Sequence, residues 1–254
     1  MCAKCLRCFR PEETCYCKYI KPVESGIKFV FLMHPKEAYK QKTGTGRLAC
    51  LSLPGSEIII GIDFTENRRL KELLSDPQYY PVVMYPGPDA WTAAGVREEV
   101  PHTLKEAVGD KTLLVILVDA TWPCARKMLR LSPNVTSLQK ISFTAGYSSE
   151  YTFKTEPKPD YLSTIETCYY LLRELNEAEF CTCNPQPLMD VFRRMVKTQL
   201  ECQAERIASG QPDRYQMAGG IRARRREARE AAAREAEAQK ARETVAATEA
   251  AFRR

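Results

Sequence analysis

Residues 113–128, LLVILVDATWPCARKM, decide how the rest of the chain is read. Residues 113–118 are a run of six apolar side chains without polar alternation. A strand buried on both faces of a sheet has this pattern, whereas a strand with one wet face alternates. The run ends at Asp119, and Ala120-Thr121-Trp122-Pro123 lead into a helical pattern from about Cys124. Pro123 suits a first helical turn, where its missing N–H is no loss, and Thr121 is a candidate cap. A carboxylate at the C-terminal end of a buried strand, directly before a helix, stands where open α/β sheets bind ligands. The same position also suits a plain helix cap, with Trp122 only packing. Pattern alone leaves both readings open.

The 254 residues, 44% of them apolar, suffice for one α/β domain of about 200 residues with appendages. No 18-residue apolar run exists, and MCAKCLRCFR at the start lacks the apolar segment of a signal peptide. A cytoplasmic protein is expected, without membrane contact or an evident stable protein partner. Eleven cysteines in a reducing compartment argue for metal or free thiols rather than disulfides. Net charge is +6, and residues 221–254 hold ten Lys/Arg against six Glu. The globular part is therefore only mildly basic, which is compatible with RNA but not diagnostic of it.

Cys5-x2-Cys8-x6-Cys15-x-Cys17 places four thiols within 13 residues. Tetrahedral zinc takes four thiolates at about 2.3 Å, and two tight turns can supply them. So short and polar a segment needs a cross-link to fold, and metal binding supplies one. The plain alternative is a set of unligated thiols. Cys2 is a fifth thiol that competes for a ligand place. Arg7, Arg10 and Lys18 either face phosphate or form a solvated basic surface.

Residues 27–33 (IKFVFLM) read as the first core strand, ended by His34-Pro35-Lys36-Glu37. A glycine-rich turn, Lys42-Thr43-Gly44-Thr45-Gly46-Arg47-Leu48, then enters a short apolar helix, and its backbone N–H groups can converge on an anion. The spacing is not that of a Walker motif. Strands are expected at 57–62, 82–85 and 138–143, and helices at 67–74, 124–131 and 188–207. Tyr85-Pro86-Gly87-Pro88 is a loop at a strand end where a small ligand can approach the backbone. Ser163-Thr164-Ile165-Glu166 begins an amphipathic helix with Ile165, Tyr169, Leu172 and Leu175 on one face. Cys181 and Cys183 read as loop thiols. Residues 1–20 are taken as a zinc knuckle, 21–209 as the α/β domain, and 210–254 as a linker and charged helical tail without a hydrophobic seam.

Asp119-x-Thr121-Trp122 resembles the signature of the DTW-domain family, the tRNA-uridine aminocarboxypropyltransferases. The N-terminal cysteine knuckle, His34-Pro-x-Glu37 with the following Thr43-x-Thr45-x-Arg47 stretch, and Ser163-Thr164-x-Glu166 agree with it in consistent order. The likeness covers roughly residues 5–200. It implies a SPOUT-like, knotted α/β domain, which pattern reasoning would not propose.

It also implies transfer of the 3-amino-3-carboxypropyl group of S-adenosylmethionine to N3 of a uridine in tRNA, with methylthioadenosine as the other product. Asp119 and Trp122 would be catalytic, and Tyr85, Pro86, Gly87, Thr121, Ser163, Thr164 and Glu166 would bind the co-substrate. His34, Glu37, Thr45, Arg47 and Arg126 would bind the tRNA, and Cys5, Cys8, Cys15 and Cys17 the zinc. His34 also suits a strand-end histidine bonded to backbone. Two other functions fit the residues: a SPOUT-type RNA methyltransferase, told apart by its product S-adenosylhomocysteine, and a non-catalytic zinc-knuckle RNA-binding module, in which Asp119→Asn would change nothing.

Overall fold

The apolar run becomes strand β5, Thr112–Asp119, buried along nearly its whole length. The computed structural model describes residues 3–41, 43–87, 89–92, 103–144, 146–151 and 161–211. Among these, five further strands join it: β1 Lys28–Met33, β2 Glu57–Ile60, β3 Tyr79–Met84, β4 Trp91–Thr92 and β6 Gln139–Ser142. The order is β2-β1-β5-β3-β6-β4, and every pairing is parallel. Parallel strands need crossovers, which cover both faces of the sheet, so β5 has no wet side and no alternation.

The crossovers carry helices α1 Pro35–Lys40, α2 Thr45–Ser52, α3 Arg68–Ser75, α4 Leu104–Val108, α5 Trp122–Leu131, α6 Pro133–Thr136, α7 Thr164–Glu177 and α8 Gln186–Ala208. On one face Val30, Leu32, Leu114, Ile116 and Val83 pack against Leu70 and Leu73 of α3, Met128 and Leu129 of α5, and Val135 of α6. The alternate residues Phe29, Phe31, Val115 and Leu117 are equally buried, and α2 and α7 pack together, α2 also against β1. Each such side chain contributes about 1.5–3 kcal/mol.

Several expected boundaries shift for local reasons. The strand expected at 57–62 stops at Ile60, because Gly61 turns away with its N–H on the carbonyl of Met33 (3.1 Å). A Cβ there would meet the Phe64 ring at 2.9 Å. Asn67 caps α3 rather than joining it, its Oδ1 accepting from the Leu70 N–H at 2.9 Å. The helix expected from Cys124 starts at Trp122, the strand expected at 138–143 is β6, Gln139–Ser142, and the two-residue β4 and the short α4 were not anticipated.

The register sets up the site. Met33 pairs with Asp119 and with Ile60, so β1, β2 and β5 end at one level. The opposite end of β1 is tied by Glu57, whose carboxylate takes Lys28 Nζ at 2.5 Å and Arg69 through two nitrogens at 2.7 and 2.8 Å.

By internal contacts the described residues up to Thr198, knuckle included, form one compact unit, and those from Gln199 on belong to a second. The latter finish α8 and close in a turn at Gly210, φ +73°. No described helix is long and apolar enough to cross a membrane. Cys2, Lys42, Pro88, most of the polar stretch before Tyr161 and the charged tail lie outside the described residues.

Candidate active site

Asp119 ends β5 with its side chain buried among three elements. Its backbone carbonyl accepts the His34 N–H at 3.0 Å, which joins the ends of β1 and β5. Its Oδ1 accepts the Thr164 hydroxyl at 2.6 Å. The Thr164 N–H in turn donates to Thr45 Oγ1 at 3.2 Å. The first residues of α2 and α7 therefore meet beside one carboxylate. Asp119 does not cap α5: that helix has Thr121 at its N-cap, without a side-chain cap bond.

A cavity of about 360 Å³ opens on the Thr164 side. Tyr85 and Pro86 after β3, Trp122 of α5, Tyr161, Thr164 and Thr167 line it. The Trp122 ring lies 4.6 Å from Tyr161 and 6.3 Å from Tyr85. At 4.6 Å no slot remains between Trp122 and Tyr161, so a ligand meets this pair from the cavity and is not sandwiched within it.

The far wall comes from the segment after β6, including Phe143 and Tyr147. Two buried carboxylates of α7 hold that segment. Glu174 accepts the Thr144 N–H and the Tyr147 hydroxyl at 3.0 and 2.9 Å. Glu166 accepts the Glu150 N–H (2.6 Å), the Ser149 hydroxyl (2.8 Å), and both the N–H (2.8 Å) and hydroxyl (2.6 Å) of Ser163. Burial and the bond to Glu174 push the Tyr147 phenol up to about 12, so it stays a donor.

Ser163 and Glu166, expected to touch the co-substrate, are thus turned to each other and to the loop, and do not line the cavity. Thr121 and Gly87 do not line it either. Gly87 is where a Cβ would strike Asp89 Oδ1 at 2.7 Å, the carboxylate that pairs with Lys140. Sequence reasoning missed Tyr161, Tyr147, Phe143 and Glu174. Their role depends on how the segment after β6 folds over α7, which leaves no local pattern.

A second cavity of about 580 Å³ lies on the other side of Asp119. Asp119, Glu37 and Arg47 line it together with Lys4, Phe9 and Tyr16 of the N-terminal segment. Thr45 is buried and serves Thr164, as above. His34 caps α1, its Nδ1 accepting from the Lys36 N–H at 3.1 Å. Burial, then the nearby Lys36 and Lys127 charges, lower its pKa, so the imidazole is neutral at pH 7. Arg126 joins neither cavity. It borders a third, of about 260 Å³, with Tyr85 and Lys140.

The four N-terminal cysteines converge, all Sγ atoms lying within 4.8 Å of one another. Cys5–Cys17 and Cys8–Cys15 are each 3.7 Å apart. A tetrahedral zinc at about 2.3 Å from each sulfur requires S···S edges of roughly 3.8 Å, so the donor set fits. Backbone N–H groups of Cys8 and Arg7 lower the Cys5 thiol to about 6, whereas burial raises Cys8 and Cys17. Four thiolates this close are sustained only by a cation among them. Of the flanking cations, Arg10 is not on the surface: it is buried against Tyr16, bonding its hydroxyl and stacking at 4.4 Å on its ring. Cys181 and Cys183 sit in the α7–α8 loop, both held by Asn176 Oδ1.

A family profile described as DTW domain matches residues 2–200. The chain is 32% identical over 179 residues to tRNA-uridine aminocarboxypropyltransferase 2 of Drosophila melanogaster, covering 68% of the chain and 66% of that relative. It is 23% identical over 204 residues to the Mus musculus protein of the same name, covering 78% and 64%. The chain thus spans just under two thirds of these relatives' length. No solved structure matches it.

Proposed function

The chain belongs to the DTW-domain family, and from this we propose that it transfers the 3-amino-3-carboxypropyl group of S-adenosylmethionine to N3 of a uridine in tRNA. The observation that carries the reading is the place of Asp119 where two cavities come together: the residue lines one, and its hydroxyl donor Thr164 lines the other. A reaction joining two substrates needs such a shared group at their meeting point.

We assign the co-substrate to the 360 Å³ cavity and the uridine to the larger one. The aromatic faces of Trp122, Tyr85 and Tyr161 suit a sulfonium cation and its nucleoside. The hydroxyls of Thr164 and Thr167 suit its polar end. When bound, S-adenosylmethionine supplies a γ-carbon activated by its sulfonium leaving group.

Asp119 takes the N3 proton of the uridine. The N3 lone pair forms the new N–C bond, and the breaking S–C pair stays on sulfur, giving methylthioadenosine. The Thr164 hydroxyl fixes the orientation of the carboxylate, and Gly46, where a Cβ would meet Asp119 Oδ2 at 2.2 Å, leaves room for it. Glu166 and Glu174 act one step removed, by holding the wall of the co-substrate cavity. The cysteine cluster holds zinc as a cross-link of the knuckle. We place this activity in the cytoplasm, where eleven cysteines stay reduced, and include in the proposal the knotted threading that the family likeness implies.

The test incubates the protein with tRNA and S-adenosylmethionine and identifies both products by mass spectrometry. The expected pair is acp3U and methylthioadenosine. S-adenosylhomocysteine would make the protein a methyltransferase, and the absence of both products would make it a binding module.

A further inference from the structure

We infer that Phe9 of the zinc knuckle, with Tyr39 of α1, is a stacking platform for the RNA bases next to the target uridine. This inference rests on the assignment of the uridine to the second cavity.

Phe9 follows the second ligand cysteine and has φ +58°. That left-handed conformation favours glycine, and a bulky residue there is costly. Nor is the ring spent on a core, since Phe9 is 56% exposed. A residue that breaks the backbone preference and leaves its apolar surface in water serves something outside the folded chain. Its orientation is nevertheless set: the Arg47 guanidinium lies 4.4 Å from the ring centroid. Tyr39, 77% exposed, borders the same cavity, as does Lys4. Two exposed rings and two cations around one cavity are the elements of a single-strand nucleic-acid site.

The chemistry calls for such a platform. N3 lies on the pairing edge of uracil, and Asp119 is only 7% exposed, so the base must leave its stack to reach it. Its neighbours then lose a stacking partner, and rings at the cavity wall can replace it. The knuckle thereby contributes to substrate recognition, beyond its role as a folded appendage.

The test uses the zinc-loaded full chain and a short single-stranded uridine-containing RNA, beside bulk tRNA. Phe9→Gly relieves the backbone and removes the ring, so it separates the two roles. We expect Phe9→Gly and Phe9→Ala to weaken RNA binding by about 5- to 150-fold, equivalent to roughly 1–3 kcal/mol of stacking. Zinc content and the melting temperature should not fall, KM for tRNA should rise, and Phe9→Trp should bind at least as well as wild type. Tyr39→Ala should act in the same direction.

Wild-type RNA affinity in Phe9→Gly overturns the inference while leaving the transferase reading intact. Loss of zinc together with RNA affinity, unrescued by Trp, reduces Phe9 to a clamp on Arg47 and overturns it too. Phe9-dependent RNA binding by a wild-type protein that forms neither acp3U nor methylthioadenosine would sink the transferase and, with it, the target uridine beside the platform, leaving Phe9 as an RNA-binding ring only. No RNA binding by the wild type sinks both.

Discussion

Gly46 and Asp119 are in such close approach that a Cβ on Gly46 would lie 2.2 Å from Asp119 Oδ2. Gly46 lies inside α2, where replacing glycine by alanine ordinarily stabilises by roughly 0.5–1 kcal/mol. Here it should do the reverse. Gly46→Ala should destabilise by about 1–3 kcal/mol, the usual cost of overpacking, and lower kcat by turning the carboxylate away from Thr164. Urea unfolding and steady-state kinetics check this, and a more stable, fully active variant would refute the packing.

Asp119→Asn keeps the shape of the side chain and removes the base. General-base assistance is typically worth ~10²–10⁴ in rate, so turnover should fall at least that far, with affinity for S-adenosylmethionine nearly unchanged. Rising pH should restore part of the rate, because ionised uridine no longer needs a base. Thr164→Val removes the donor to Oδ1 and should cost activity in the same direction, by about 1–3 kcal/mol.

Glu166→Gln tests the buried anchor. The amide offers one acceptor where the carboxylate now serves four donors, so some donors are left unsatisfied. Stability should drop by about 1–3 kcal/mol, and affinity for S-adenosylmethionine should drop with it as the wall at Phe143 and Tyr147 loosens. Calorimetric titration against thermal melting separates the two effects; a loss of stability alone would detach the anchor from the cavity.

The zinc reading predicts one equivalent of metal by elemental analysis. Cys8→Ser should lose that metal and unfold the knuckle, while the sheet, built from residue 28 onward, keeps a cooperative melt. Metal content below about half an equivalent in unchelated protein would count against it.

Acid should release the β1–β2–α3 tie. The Arg69 bonds, and then Lys28, hold Glu57 down to about 2 from its ordinary 4.5. Because the folded value is depressed, the stabilisation is present above pH 4.5 and is lost as pH falls from there toward 2. Glu57→Gln should flatten the stability profile across that window, while leaving the profile near neutral pH parallel to that of the wild type.

What could be read along the chain was what local chemistry enforces. An unbroken apolar run has to be buried on both faces, so β5 and the carboxylate at its end were legible before any contact was known. Four thiols in 13 residues likewise fall close together whatever the rest does. Ser163 and Glu166 announce a helix start because the bonds between them span three residues.

The division of the site was decided elsewhere. Asp119 and Thr164 are 45 residues apart, and only the packing of α7 on α2, beside the end of β5, brings them together. That packing puts Glu37 and Arg47 in one cavity and Tyr85, Trp122 and Thr164 in the other. It also turns Glu166 into an anchor and leaves Arg126 apart from both. None of this has a period or a motif, because side chains distant in sequence are positioned by the shape of the surfaces between them, and those surfaces exist only once the sheet has closed over its core.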